Sequence, residues 1–353
     1  MINSAIDRCA REILASRGRP WIIGYSGGKD STATLKVFLA ASLRAGCEND
    51  DITIIYCDTG VENPELDLFA KSTLKRLSGE LPITFPNAKV KILQAPVNER
   101  FFVRVIGRGY APPTNRFRWC TKGLRVLPVQ RFISSAASDA AVVLGLRYGE
   151  SNQRDRSLAV GEMDESPLWQ KQREGARRDL LLPVIDLDLE MIWTAAQGIS
   201  FPTAIDSIAL EELYRGASDE CPMVKSPLAP PCASGRFGCW TCTVVRRDKS
   251  TEAMIRNGKT WLQPYLQLRD WLQIYRGDYS GRWPVRRNGA RGPGPFTLAA
   301  RKRILTQVQI LEEEVEREIL SVEELKRIGE LWLEDAAMES QLGLTNDAHP
   351  TAM

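Results

Sequence analysis

Histidine is almost absent. Of 353 residues only His349 is one, four residues from the end of a polar tail. Ser-His-Asp or Cys-His catalysis and His-rich metal sites are therefore excluded as central chemistry. No apolar run approaches the roughly 20 residues that span a bilayer, so no membrane partner is expected. The opening Met1–Arg8 carries no signal-peptide pattern, which makes the cytoplasm the expected compartment. In a reducing compartment the eight cysteines point to metal, cluster or redox chemistry rather than a disulfide frame. A hydrophobic content of 43% and a charged content of 26% are those of an ordinary globular chain. The length suits one large domain with one or two appendages.

What is present starts at Trp21-Ile22-Ile23-Gly24-Tyr25, which runs through Ser26-Gly27-Gly28-Lys29-Asp30-Ser31 into Thr32–Leu39. An apolar run, a glycine turn and helix-forming sequence predict strand, tight loop, helix. Two glycines let backbone N–H groups approach a ligand, and the helix N-terminus favours an anion. Lys29 adds a point charge for the same anion. The common nucleotide P-loop is excluded, because it places four residues between Gly and Gly-Lys and a Ser or Thr after the Lys, whereas Asp30 follows here. The hexad Ser26–Ser31 resembles the pyrophosphate loop of the ATP pyrophosphatase superfamily, which includes sulfonucleotide reductases and tRNA-thiolating enzymes. That resemblance implies cleavage of ATP between the α and β phosphates, with adenylation of a substrate oxygen.

Along the chain, residues 1–17 read as an amphipathic helix and Asp51–Gly60 as a second buried strand ending in Asp58-Thr59-Gly60. Strand, helix, strand at this spacing predicts parallel pairing. Ligands bind beyond the carboxyl ends of such strands, where Asp58 would contact magnesium or ribose. Val61–Leu77 reads as a helix, Val90–Leu93 as a third strand, and Ala140–Arg147 as another. The pattern Gly145-x-Arg147-x-x-Glu150-Ser151-x-x-Arg154 is similar to the arginine loop of sulfonucleotide reductases, which implies that Arg147, Glu150 and Arg154 bind ATP. Arg156, Arg173, Arg177 and Arg178 read as a solvated charge run. Leu180–Ile185 reads as an edge strand and Leu189–Ala196 as a short helix.

Beyond about residue 215 the character changes. Cys221 is followed by Cys232, Cys239 and Cys242, the last two as Cys-x-x-Cys. Three thiols in so short a span, two of them from one turn, suit zinc or an iron–sulfur cluster, each of which takes four ligands. The fourth is either Cys221 or Cys120; we favour Cys120, which sits in the basic segment Arg116–Arg125. Cys9, Cys47 and Cys57 are assigned no role. Between Arg236 and Arg303 stand 15 Lys and Arg against 4 Asp and Glu, with aromatics interleaved. Such a stretch suits nucleic acid. Arg286, Arg287 and Arg291 fall in a Gly/Pro-rich run, read as a mobile loop that gives them little packing role and makes them the candidate nucleic-acid contact. Phe296–Glu316 and Val322–Met338 read as amphipathic helices, and residues 342–353 as a disordered tail.

Arg236-Phe237-Gly238-Cys239-Trp240-x-Cys242-Thr243, with Gly292-Pro293-Gly294-Pro295-Phe296 further on, resembles the DNA phosphorothioation sulfurtransferases of the DndC type, and the single-strand SspD type is closely similar. The resemblance covers roughly residues 20–305. It implies ATP and Mg2+, a 4Fe-4S cluster on Cys120, Cys232, Cys239 and Cys242, DNA as partner, a cysteine desulfurase as sulfur donor, and further phosphorothioation proteins. Catalytic roles fall on Lys29, Asp30, Asp58 and Arg147. The reductases' Glu-Cys-Gly segment has no counterpart near the C-terminus. Alternatives are tRNA thiolation, phosphoadenosine phosphosulfate reduction, or a non-catalytic nucleic-acid-binding module. The expected fold is a doubly wound α/β parallel sheet of the adenine nucleotide alpha hydrolase-like type over 1–215. A cysteine-rich basic module follows over 216–296, then helices over 297–341.

Overall fold

The computed structural model describes residues 2–149, 166–171, 178–217 and 237–341. Cys221, Cys232, Glu150, Arg154, Arg156, Arg173, Arg177 and the 342–353 tail lie outside them. The chain divides into two compact units. The first takes Met1–Asp58, Glu62–Leu93 and Val126–Phe237; the second takes Thr59–Val61, Gln94–Arg125 and Gly238–Met353. Two pieces from within 1–215 thus belong with the C-terminal unit.

The first unit is built on six strands: β1 (Trp21–Gly24), β2 (Ile52–Asp58), β3 (Lys89–Gln94), β4 (Ala141–Val143), β5 (Trp169–Lys171) and β6 (Asp179–Leu181), in the order β3-β2-β1-β4-β6-β5. β1 is central and runs parallel to both neighbours, with Ile22 opposite Thr53 on β2 and Val142 on β4. β4 and β6 are also parallel, and β5 is antiparallel to β6. This is the mostly parallel α/β sheet that the sequence predicts. One detail is corrected: the Leu180 strand lies between β4 and β5 and is not an edge, because the unanticipated β5 closes that side.

Short strands rich in Ile and Val suffice because both faces are covered. Helix α1 (Ile2–Ala15) buries Ala5, Ile6, Cys9, Ala10 and Ile13, and packs on α2 (Lys29–Arg44). The core gathers Trp21, Ile23, Leu35, Phe38, Leu39, Ile52 and Ile54. Helix α3 (Pro64–Thr84) starts cleanly: Asn63 Oδ1 accepts from the N–H groups of Glu65 (3.1 Å) and Leu66 (3.3 Å), and Pro64 opens the first turn. Arg178 is not part of a solvated run. It is buried and donates to the carbonyls of Ile133, Ala136 and Ser138, so it caps the end of α4 (Leu127–Ser135).

In the second unit the segment Gln94–Arg125 supplies Phe101, Phe102, Val103, Val105 and Ile106 to a buried core. The helices Leu298–Val315 and Val322–Gln341 pack on its π-helical turn Val103–Gly107. Trp332 Nε1 donates to Ile106 O at 2.8 Å.

Candidate functional site

β1 delivers the chain to the glycine loop, and Tyr25 N–H still donates to Ile55 O at 2.9 Å. Gly27 then adopts φ +74, and a Cβ there would lie 2.7 Å from Ala70 Cβ, so the turn closes against α3 only with glycine. Ser31 folds the loop on itself, its hydroxyl donating to Gly28 O at 2.9 Å and lying 3.1 Å from Ser26 Oγ. Helix α2 begins at Lys29 with Gly28 as a cap that offers no side-chain bond, which leaves the helix start as an anion seat.

Three charges meet there. Lys29 Nζ lies 2.8 Å from Asp30 Oδ2, and Arg147 Nε lies 2.8 Å from Asp30 Oδ1. Burial pushes the Asp30 carboxyl up, but Lys29 and Arg147 together hold it below its ordinary value. Two cations on one carboxylate leave a net positive seat, which suits a polyphosphate. Tyr214, on the Ser207–Ala217 helix, completes the seat: its phenol oxygen accepts from Lys29 N–H at 3.1 Å, and its ring lies 5.2 Å from Lys29 Nζ. A Cβ on Gly28 would come within 3.0 Å of that oxygen. Trp193 and Phe237 pack edge-on against the Tyr214 ring at 5.3 and 5.0 Å.

Asp58, at the end of β2, belongs to a separate acidic group. Carboxylate oxygens of Asp58, Glu62 and Asp67 lie within 4.8 Å of one another. Lys71 Nζ bridges two of them, at 2.9 Å from Asp58 and 2.8 Å from Asp67, and Tyr56 donates to Asp67 at 2.8 Å. Burial lowers the Lys71 pKa, but Asp67 and Asp58 raise it overall. Any magnesium at Asp58 would have to displace that ammonium, so the trio as it stands does not fit the ion and no step is derived through it.

In the second unit Cys239 and Cys242 form a tight turn, with Cys242 N–H donating to Cys239 O at 3.0 Å. Trp240 between them is buried, its N–H on Val61 O at 2.9 Å and its ring against Phe102 and Tyr265. Arg269 Nε fixes the turn from below through Cys242 O at 3.0 Å. Burial pushes the Cys120 thiol up, the Thr121 hydroxyl bonds to it and lowers it, and Cys242 is near enough to raise it further. Cys239 and Cys242 on one turn and Cys120 in the same unit are of the residue type that a cluster or zinc takes, but among the described residues no three cysteine sulfurs lie within 4.8 Å of one another.

The sequence therefore locates Ser26, Gly27, Gly28, Lys29, Asp30, Ser31 and Arg147 in one seat, and Cys120 in the same unit as the cysteine turn. Tyr214, Lys71, Glu62 and Asp67 were missed. Asp67 and Lys71 stand four apart on α3 and were readable as a pair; Tyr214 carries no such signal. The Arg286–Pro295 run is irregular as expected, but it is hydrogen-bonded rather than loose: Arg286 N–H donates to Ala290 O at 2.9 Å and Gly292 N–H to Pro284 O at 2.9 Å. Arg286, Arg287 and Arg291 are all exposed, but Arg287 has the packing role denied it above, donating to Arg108 O and lying over Tyr110 at 5.2 Å.

A parallel sheet with a glycine loop and anion seat at the carboxyl end of its central strand defines a nucleotide-binding α/β protein of the adenine nucleotide alpha hydrolase superfamily. Residues 20–244 match the model of the phosphoadenosine phosphosulfate reductase domain, and the chain belongs to that family. It is 29% identical over 137 residues to the uncharacterized protein MJ0066 of Methanocaldococcus jannaschii, a match covering 38% of this chain and only 24% of that protein's length. Among solved structures it is similar to phosphoadenylyl-sulfate reductase from Candida auris in a phosphate complex, at 10% identity over 55% of this chain and 80% of that one, TM-score 0.37. It is also similar to Candida glabrata FMN adenylyltransferase with FAD and inorganic pyrophosphate, at 12% identity over 88% and 79%, TM-score 0.38. With TM-scores below 0.5 both likenesses are remote.

Proposed function

We propose that the protein is an ATP-dependent sulfurtransferase acting on the DNA backbone. The observation that carries the reading is the Lys29–Asp30–Arg147 seat at the start of α2, within a family whose domain processes sulfur nucleotides. The loop amides and Lys29 would bind the departing pyrophosphate, while Arg147, oriented by Asp30, would steady the reacting phosphate. A non-bridging oxygen of a DNA phosphodiester would bond to the α-phosphorus as the bond to the β-phosphate breaks and pyrophosphate leaves. Persulfide sulfur from a cysteine desulfurase, released as sulfide by a thiol reductant that becomes a disulfide, would then form the phosphorus–sulfur bond, and AMP would depart with that oxygen. A 4Fe-4S cluster on Cys120, Cys239 and Cys242, with Cys232 as fourth ligand, would supply a sulfur-binding centre. Further phosphorothioation proteins would act alongside.

The test has two parts. Incubation with ATP, DNA and sulfide should yield AMP and pyrophosphate; ADP and free phosphate would contradict the reading. Mass spectrometry of nuclease-digested DNA and tRNA, from cells with and without the gene, should show sulfur in DNA linkages only. Sulfur in tRNA bases would favour the thiolation alternative.

A further inference from the structure

The second unit contains a cationic and aromatic surface that the cysteine chemistry does not use. Arg100–Arg125 holds seven Lys and Arg and no Asp or Glu. Within it the turn Thr114–Phe117 is rigidly built. Thr114 N–H donates to Phe117 O at 3.2 Å, and Phe117 N–H donates back to Thr114 O at 3.1 Å. Pro113 O, just before the turn, accepts from Thr243 Oγ1 at 2.7 Å and from Arg276 at 2.6 Å. The turn holds the Phe117 ring 49% exposed. A lone exposed phenylalanine needs no explanation, but this one is stacked. Its plane is 17° from that of Tyr110, with centroids 6.3 Å apart. Arg287 and Arg104 each lie 5.2 Å from the Tyr110 centroid, Arg104 being also paired with Glu99. Arg116 and Arg118 flank Phe117 and are exposed.

We infer that the Phe117 ring, backed by Tyr110, flanked in sequence by the exposed Arg116 and Arg118 and with Arg287 over Tyr110, is a stacking seat for an unpaired base of single-stranded DNA. The inference rests on the DNA reading above and adds which form of DNA is engaged. Guanidinium groups at the rim match phosphates on either side of a base, and a flat exposed ring matches the base itself. A duplex hides its base faces inside the stack and offers such a ring nothing. An acidic peptide would satisfy the charges but leave the ring uncovered.

The experiment compares the affinity of the whole protein, by fluorescence anisotropy, for short oligo(dT), for an abasic strand of equal length and charge, and for the oligo(dT)·oligo(dA) duplex. The parent should bind oligo(dT) about five- to a hundredfold tighter than the abasic strand, the range that one base–aromatic stack supplies. Phe117→Ala should melt at the parent temperature and bind oligo(dT) no better than the abasic strand, while Phe117→Trp should keep the preference. Equal binding of oligo(dT) and abasic strand by the parent, or a preference that survives Phe117→Ala, would overturn the base seat and leave the DNA reading standing. Tighter binding of the duplex would overturn the single-strand assignment. Binding to none of the three would remove the DNA reading and the seat with it.

Discussion

The cations around the glycine loop and those of the cysteine unit are used differently. In the nucleotide unit, Lys29 and Arg147 converge on the single carboxylate of Asp30, and the seat keeps an uncompensated charge at a helix start whose Lys29 amide is held by the Tyr214 phenol. In the cysteine unit, many guanidinium groups are spent on backbone carbonyls. Arg269 serves Cys242, Val245 and Arg246; Arg276 serves Pro113 and Thr243; Arg282 serves Gly294; Arg301 serves Gly107 and also pairs with Asp335. The basic excess between Arg236 and Arg303 is therefore a poor measure of phosphate contacts. A guanidinium offers five donors, and a chain rich in loops uses them as internal struts.

The comparison can be broken most sharply at Lys29. If the seat is electrostatic, Lys29→Ala should lower pyrophosphate release by about a hundredfold or more, measured as AMP formed from ATP; a few-fold loss would make the lysine incidental. Next in size is the strut claim. Arg269→Met strips three carbonyls of their donor and should destabilise the fold by about 3 kcal/mol in urea unfolding, whereas the exposed Arg291→Ala should stay within about 0.5 kcal/mol. Equal losses would erase the distinction.

A smaller effect is expected at Tyr214. Its phenol occupies the Lys29 amide that a phosphate oxygen would take, so Tyr214→Phe should cost about 1 kcal/mol of stability yet tighten pyrophosphate binding by roughly fivefold in calorimetry. Weaker binding would show that the hydroxyl supports the loop instead of competing with its ligand. The smallest effect concerns pH. A carboxyl held below its ordinary value makes the unfolded chain bind more protons, so its stabilisation is full above about pH 3.9 and fades as pH falls through the folded value. Between pH 5 and 3 the parent should lose unfolding free energy faster than Asp30→Asn; parallel curves would contradict the pairing.

Much of this was legible in the sequence where chemistry and local structure coincide. Ser26–Ser31 announces itself because glycines, lysine and strand end are contiguous, and α1, α2, β2 and the two C-terminal helices follow from apolar periodicity. Tyr214 was not legible, since it reaches Lys29 from 185 positions away and no local motif marks it. Arg178 was misread for a related reason: in an arginine-rich run nothing local marks the residue whose donors end α4. The edge strand β5 is three residues long and too short for any periodicity to register. The looseness expected of Arg286–Pro295 followed from its Gly and Pro content, which bars regular structure but not a ladder of turn bonds.

The interleaving of the two units carries a consequence for how the chain reaches its native state. Neither unit is a continuous stretch: the sheet must wait for β4 and β6 beyond residue 126, and the other core joins Gln94–Arg125 to partners after Gly238. Long loops must close before either core repays the entropy lost, so folding should be slow and dominated by distant contacts. A ribosome-bound chain would hold Phe101, Phe102 and Ile106 uncovered until the last helices emerge, which makes the nascent protein a natural client for chaperones. Cutting the gene at any point between residues 126 and 237 would yield two fragments that each lack part of both cores.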